Sequence, residues 1–143
     1  TTKRLLESID IDAALKTGDI SNNPIIEVVS LGCGFCVQSD RFMTSNHPGS
    51  DRRLLLMVSD NLPERALATR VLCSEEPISA LQKYWKTGLI KNQSLCNKGK
   101  KALEDHSSAV ALLGINATPT YFINYSRYEG FNEEKLNSAL RAN

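Results

Sequence analysis

The sequence predicts an α/β protein in which a helical insertion separates a βαβ half from a C-terminal ββα half. Two apolar runs of strand length, 25–30 and 54–58, enclose a helical segment, which favours parallel strands joined by a helix. A third β-rich run, 120–125, follows only after a long helical stretch over 62–113. With 143 residues, 41% of them hydrophobic, the chain can bury one core.

The N-terminal residues 1–23 are expected to form a lead-in helix or linker. Apolar residues recur at nearly helical spacing over 3–17, and Gly18 is suited to end that helix. An Asn-Asn-Pro turn at 22–24 then leads into the main domain, which we expect over 24–143.

The remaining elements have boundary signals of their own. A helix is expected from Cys33 to about Ser45, ahead of a His-Pro-Gly break at 47–49. The other expected elements are helices at 62–74, 78–87 and 98–113, a return strand near 127–131 and a closing helix to about Ala142.

The charges are spread evenly along the chain. Its 17 basic and 16 acidic residues give a net charge of +1 without a long block of one sign, so nothing favours nucleic acid or a membrane surface as a partner. No apolar run approaches the roughly 18 residues of a membrane helix. The first residues lack the apolar core of a secretory signal, so an exported chain would be in processed form. We therefore expect protein partners.

Cys33-Gly34-Phe35-Cys36 stands where the first strand ends and a helix begins. A helix N-terminus stabilises a thiolate, so two cysteines at this spacing form a reversible dithiol/disulfide couple. Cys33 is expected to be the exposed nucleophile, and Cys36 the buried thiol that resolves a mixed disulfide. Gly34 and Phe35 are expected to adjust the hydrogen bonding of the thiolate and to contact substrate.

Zinc binding and an inert structural disulfide remain open as alternatives for this pair. A zinc site would more often include a second close pair of ligands, whereas His47 and His106 show no ligand spacing. An inert disulfide gains little stability from closing so short a loop. We therefore expect no metal and no cofactor.

Cys73 and Cys96 make the number of cysteines even, which permits a second disulfide. Closing their loop would restrict the unfolded chain by about 3 to 4 kcal/mol, an advantage available only in an oxidising compartment. The alternative is a pair of buried free thiols, because unpaired cysteine is often fully buried. The disulfide favours a periplasmic or secreted protein.

Thr118-Pro119 and Glu27 complete the candidate site. A turn with a cis-proline could present the backbone of Thr118 beside Cys33 as an edge for an extended substrate peptide. Glu27 lies among apolar residues six positions before Cys33, so we expect a carboxylate buried beneath the dithiol that carries a proton to or from Cys36. The alternative for Glu27 is a surface position on an alternating strand.

These motifs together resemble the thioredoxin superfamily over about residues 24–143. The stretch 62–113 is similar to the helical insertion of the bacterial periplasmic Dsb proteins, and within them the chain resembles the catalytic domain of the disulfide isomerases DsbC and DsbG. That resemblance implies a thioredoxin fold with a helical insertion, a cis-proline after Thr118, and a structural disulfide between Cys73 and Cys96. Glu27 departs from DsbC and is similar instead to the acidic residue of thioredoxin and DsbA.

The resemblance also implies a function. We expect a thiol:disulfide interchange enzyme that reduces or isomerises disulfides in periplasmic protein substrates, with a membrane electron-transfer protein as its redox partner. A DsbA-like dithiol oxidase and a thioredoxin-fold chaperone or secretion-assembly factor are the alternatives. DsbC and DsbG carry an N-terminal dimerisation domain, so a homodimer is expected if such a domain has been removed from this chain.

Overall fold

A computed structural model describes residues 1–91 and 94–141, which form a mixed β-sheet with helices on both faces. Within these residues, no helix combines the length and the apolar character that crossing a membrane requires. In chain order the elements are α1 (Thr2–Ser8), a 3₁₀ turn (Ile11–Ala13), β1 (Leu15–Thr17), β2 (Ile25–Val29), α2 (Gly34–Asn46), β3 (Arg52–Leu56), α3 (Leu62–Cys73), α4 (Pro77–Thr87), α5 (Asn97–Leu113), β4 (Thr120–Ile123), β5 (Ser126–Glu129) and α6 (Glu133–Arg141).

The sheet has the strand order β1-β3-β2-β4-β5. The central pair, β2 and β3, is parallel, with Ile25 opposite Arg52 and Val29 opposite Leu56, and the other pairs are antiparallel. A parallel pair requires a crossover connection, which α2 supplies. The C-terminal end of β2 therefore leads directly into the first turn of α2.

The three inner strands are buried along their whole length, as expected for strands covered on both faces. On one face, Val29 and Leu56 belong to a core cluster that includes Cys36 of α2. On the other face, Val28 and Leu55 pack with Val110 of α5. Helix α2 is thus fixed by its buried side against the centre of the sheet.

The helix expected over 3–17 is wrong in its second half. Helix α1 ends at Ser8, and residues 15–17 form an edge strand instead, with Leu15 opposite Leu54. Leu15 is buried by that pairing. The backbone groups of β3 would otherwise be unpaired along this edge, and that tertiary demand outweighs the helical spacing of the sequence.

The second apolar strand begins two residues earlier than expected. The sequence favours 54–58, whereas β3 is Arg52–Leu56 and Met57 adds only a backbone hydrogen bond of 2.8 Å to Val29. Arg52 and Arg53 are buried at the start of the strand, where carboxylates hold both guanidinium groups. Two adjacent arginines are not expected in a central strand, so the sequence offers no reason to include them.

The remaining boundaries agree with the sequence to within two residues. Helices α3, α4 and α5 lie where three helical stretches are expected in the insertion, and α2 and β4 also lie at their expected places. Strand β5 ends at Glu129 rather than near 131. The expected end of the closing helix at Ala142 lies outside the described residues.

Candidate active site

Cys33 and Cys36 form a disulfide at the N-terminus of α2. Cys33 is the N-cap residue, and the backbone N–H of Cys36 donates a hydrogen bond of 3.1 Å to Sγ of Cys33. Cys33 is half-buried, whereas Cys36 is 1% exposed. One sulfur can therefore be reached from solvent, and the other lies in the core beneath it.

The loop that carries Thr118 and Pro119 faces this disulfide. The peptide bond between them is cis. The carbonyl oxygen of Thr118 lies 3.5 Å from Sγ of Cys33, and the Thr118 hydroxyl lies 2.9 Å from the hydroxyl of Ser30. Thr118 is half-buried and Pro119 is buried. The structure thus brings together two parts of the chain that the sequence separates by more than eighty residues.

Gly34 and Phe35, the two residues between the cysteines, are both exposed. Phe35, in the first turn of α2, is 61% exposed and leaves an apolar ring at the protein surface. A Cβ at Gly34 would meet no atom of the described residues within 4 Å. The surface around Cys33 is consequently open on the Phe35 side.

The chemistry available to this arrangement is thiol–disulfide exchange. A thiolate at Cys33 would accept the Cys36 N–H and lie at the positive end of the α2 dipole, and both effects favour the ionised sulfur. A thiolate so placed attacks a disulfide to form a mixed disulfide, and a second thiol nearby resolves it. The half-buried and buried positions of the two sulfurs fit these successive steps.

Glu27 is 1% exposed, so its expected burial is confirmed. Its carboxylate accepts two hydrogen bonds from Arg52, at 2.5 and 2.9 Å, and the same guanidinium donates at 3.0 Å to Asp40 of α2. Gln82 of α4 donates at 3.1 Å to the other oxygen of Asp40. Glu27 is held by a cation rather than left unpaired beneath the dithiol, and a proton-carrying role for it stays a prediction.

The burial of Arg52 by itself would lower its pKa, but the charges and hydrogen bonds of Glu27 and Asp40 outweigh that effect and raise the pKa. The phenol of Tyr121, opposite Glu27 in the sheet, lies beside this group. Burial, with the nearby Glu27 charge, raises the pKa of Tyr121. The Arg52 guanidinium and the Tyr121 phenol therefore both keep their protons at neutral pH.

Sequence reasoning missed Arg52 and Asp40, although Asp40 gave a signal. Asp40 follows Cys36 by four residues, a spacing that places both on one face of a helix. A buried Cys36 therefore predicts a buried Asp40, and a buried carboxylate requires a cation. Ser30 gave no comparable signal, since a serine after a strand is common in loops.

The second cysteine pair forms the disulfide that the sequence permits, and the alternative of two free thiols is wrong. Cys73 ends α3, and Cys96 is the N-cap of α5. A Cβ at Gly99 would overlap Sγ of Cys73 and lie 2.9 Å from the carbonyl oxygen of Thr69. The disulfide therefore holds α3 and α5 so closely that only glycine fits at this position.

Comparison with known proteins gives likenesses in structure alone. No protein-family model matches the sequence, and no curated protein matches it either. A linker-deletion mutant of ScsC from Proteus mirabilis superposes with a TM-score of 0.80 at 15% identity, covering 99% of this chain and 81% of the mutant chain. A disulfide interchange protein from Neisseria gonorrhoeae gives a TM-score of 0.77 at 18% identity, covering 94% of this chain and 98% of that one.

A periplasmic thioredoxin-like protein from Salmonella enterica serovar Typhimurium is similar over 99% of this chain and 94% of its own, with a TM-score of 0.66 at 13% identity. The thioredoxin fold with a helical insertion, predicted from the sequence, is confirmed by these likenesses. They do not single out the DsbC and DsbG group. At such low identities they establish the fold and leave the activity to the chemistry of the site.

Proposed function

We propose that this chain is a thiol:disulfide oxidoreductase that acts on protein substrates through the Cys33–Cys36 couple. The observation that carries the proposal is the N-cap geometry of Cys33, whose half-buried Sγ accepts the Cys36 N–H at 3.1 Å while Cys36 lies buried behind it. An inert disulfide needs neither an accessible sulfur nor a donor that stabilises the reduced thiolate. The disulfide interchange protein from Neisseria gonorrhoeae, which has the same fold, supports the proposal.

The exchange proceeds in two steps. The Cys33 thiolate attacks one sulfur of a substrate disulfide, forming a mixed disulfide and releasing the other substrate sulfur as a thiolate. Cys36, as a thiolate, then attacks Sγ of Cys33, which forms the Cys33–Cys36 disulfide and releases the second substrate thiolate. The substrate gains two electrons and the dithiol loses two, and a dithiol protein must then reduce Cys33–Cys36 again. In the reverse direction the same steps oxidise a substrate dithiol.

Substrate contacts are assigned in this proposal to Gly34, Phe35, Thr118 and Pro119. Phe35 offers exposed apolar surface beside the reactive sulfur. The Thr118 carbonyl, 3.5 Å from Cys33, offers an acceptor for the backbone of an extended peptide. An unfolded protein segment with a cysteine supplies both an apolar side chain and backbone donors, so proteins are the substrate class proposed.

The proposed location is the periplasm, or another oxidising compartment. The Cys73–Cys96 disulfide supports it, because such bonds persist only where thiols are not kept reduced. A membrane electron-transfer protein is the proposed source of electrons if the protein works as a reductase or isomerase. The similar Salmonella protein is periplasmic, which agrees with this location.

The finer proposal is a disulfide isomerase or reductase of the DsbC and DsbG kind, with a DsbA-like oxidase as the alternative. Thr118 before the cis-proline and the disulfide in the insertion favour the former. The acidic residue at position 27 favours the DsbA-like oxidase. The equilibrium constant of Cys33–Cys36 with glutathione separates reductase from oxidase: a potential of about −270 mV makes the couple a reductant, and one of about −120 mV makes it an oxidant or isomerase.

The test of the general proposal is the reduction of insulin by dithiothreitol, with the wild-type protein compared with Cys33→Ser and Cys36→Ser. We expect wild-type turnover and no turnover with Cys33→Ser. Incubated with insulin in the absence of dithiothreitol, reduced Cys36→Ser should accumulate a mixed disulfide with the substrate, because the resolving sulfur is missing. Refolding of scrambled and of reduced ribonuclease then compares isomerase with oxidase activity. If Cys33→Ser still protected a client protein from aggregation as well as the wild type, while the wild type reduced nothing, the protein would be a binding module.

A further inference from the structure

The loop that delivers Cys33 to its position includes one residue, Gly32, that contributes no side chain to hold it. It spans 30–33, between the end of β2 and the start of α2, and a Cβ at Gly32 would meet no atom of the described residues within 4 Å. Glycine also leaves the backbone more conformations than any other residue. The Ser30 hydroxyl and the buried Leu31 side chain hold one end of the loop, and the conformation at Gly32 depends on contacts made by the neighbouring backbone.

One such contact comes from the helical insertion. The indole N–H of Trp85, in the last part of α4, donates a hydrogen bond of 3.1 Å to the backbone carbonyl of Leu31. The Leu31 side chain is buried in the core cluster that contains Cys36, and Trp85 and Cys33 both pack against that cluster. Trp85 therefore packs against the core through its ring and also holds a backbone carbonyl of the loop before Cys33.

Helix α4 is itself fixed, so it can serve as a support. Leu81 is fully buried in the same core cluster, and Gln82 donates at 3.1 Å to Asp40 of α2. These two contacts tie α4 to the core and to the helix that carries the dithiol. Because α4 is held in place, the hydrogen bond from Trp85 holds the Leu31 carbonyl, two residues before Cys33, in a fixed position.

We propose that Trp85 is a positioning residue of the exchange reaction, whose indole N–H fixes the Leu31 carbonyl and thereby the thiolate geometry of Cys33. The inference rests on the proposed function and goes beyond it by giving the insertion a role in the reactivity of the dithiol. Without the indole N–H, the Leu31 carbonyl must find another donor, and the glycine that follows permits the peptide to rotate. The Cys36 N–H then aligns less well with Sγ of Cys33, and the thiolate loses part of its stabilisation.

The test compares Trp85→Phe with Tyr84→Phe. Tyr84 is the neighbouring residue on α4, packs against the same cluster, and makes no hydrogen bond through its hydroxyl with any described residue. We measure the rate of Cys33 alkylation by iodoacetamide against pH in the reduced proteins, and the equilibrium constant of each with glutathione. For Trp85→Phe we expect the Cys33 titration to move to higher pH and the equilibrium constant to move about fivefold towards the disulfide, the size of one hydrogen bond. Tyr84→Phe should match the wild type in both.

A second replacement keeps the ring size. Trp85 is the single tryptophan of the sequence, so biosynthetic incorporation of benzothienylalanine replaces its N–H by sulfur and changes no other residue. It should reproduce the shift of Trp85→Phe even if the phenylalanine variant folds poorly. Wild-type values for the Cys33 titration and glutathione equilibrium in this protein would overturn the inference.

The two proposals fail in different ways. If the wild type neither reduces insulin nor exchanges with glutathione, the proposed function is wrong. If the wild type exchanges and both Trp85 replacements keep its titration and its equilibrium constant, the function stands and the positioning role is wrong.

Discussion

Among single residues, Arg52 is buried although arginine is normally a surface residue. Its guanidinium is buried in a central strand and is shared by Glu27 and Asp40. Burying ions is costly, and the attraction of two carboxylates compensates only while all three groups are present. Because Glu27 lies in β2 and Asp40 in α2, the same contacts fix the helix that carries the dithiol to the sheet beneath it.

Arg52→Leu should therefore destabilise the protein strongly. It leaves two buried carboxylates without a cation, a change that costs about 3 to 5 kcal/mol when a buried pair loses one partner. Urea unfolding followed by far-UV circular dichroism at pH 7 measures the free energy of unfolding. If the Glu27→Gln/Arg52→Leu double variant has a higher free energy of unfolding than Arg52→Leu alone, the unpaired charge is confirmed as the cause.

Tyr121→Phe is the matched control for that prediction. The Tyr121 hydroxyl is buried beside the same ions but finds no hydrogen-bond partner among the described residues. Removing an unpaired polar group leaves nothing unsatisfied, so this variant should be as stable as the wild type or more stable. A loss comparable to that of Arg52→Leu would contradict the charge-based explanation.

Among the elements, the join between α3 and α5 is the closest in the insertion. The Cys73–Cys96 disulfide connects the last residue of one helix with the N-cap of the other. The backbone N–H of Gly99 donates to Sγ of Cys96 at 3.2 Å, and its Cα faces Sγ of Cys73 and the Thr69 carbonyl. The first turn of α5 is thus built around the disulfide.

Gly99→Ala tests that packing. Alanine is normally the better helix former, yet here its methyl group would overlap Sγ of Cys73, so the helices must separate. We expect a loss of about 1 to 3 kcal/mol in the free energy of unfolding, typical of overpacking. Gly34→Ala in α2, where the added methyl group meets open space, should cause no such loss. Equal losses at both positions would show that steric overlap is not the cause.

On the scale of the whole molecule, His106 connects three regions. It is fully buried on α5, its Nδ1 accepts the Leu56 N–H of β3 at 3.0 Å, and its Nε2 lies 2.7 Å from the Ala13 carbonyl before β1. A carbonyl only accepts, so Nε2 carries the proton and the ring is neutral. Burial lowers the pKa of His106, although the Ala13 carbonyl and Asp105 act in the opposite direction.

Acidification should therefore destabilise the fold. The unfolded chain binds a proton at the ordinary histidine pKa of 6.5, and the folded chain binds it only at lower pH. The contribution of neutral His106 to the free energy of unfolding is complete above pH 6.5. It is lost as the pH falls towards the lowered pKa of the folded state, by no more than about 1.4 kcal/mol per pH unit for one proton. Urea unfolding at pH 8 and at pH 5 measures this loss in the free energy of unfolding, since both values lie above the range where most carboxylates titrate. The loss between pH 8 and pH 5 should be smaller in His106→Gln than in the wild type.

The sequence by itself determined the features that arise from neighbouring residues. Apolar runs place β2 and β4, helical spacing and capping residues place α3, α4 and α5, and the Cys-x-x-Cys spacing at a strand end places the dithiol at a helix N-terminus. The turn at Thr118-Pro119 is equally local. These signals suffice for the fold class and for the position of the dithiol, because each depends on a few consecutive side chains.

Only the tertiary structure decided which groups surround the dithiol. Arg52 reaches Glu27 across 25 positions, Trp85 reaches Leu31 across 54, and Thr118 reaches Ser30 across 88. The strand at Leu15–Thr17 likewise exists because an open edge of β3 is available to it. Hydrogen bonds and ion pairs depend on distances in space, and a chain folded around one core brings together partners that no local pattern records.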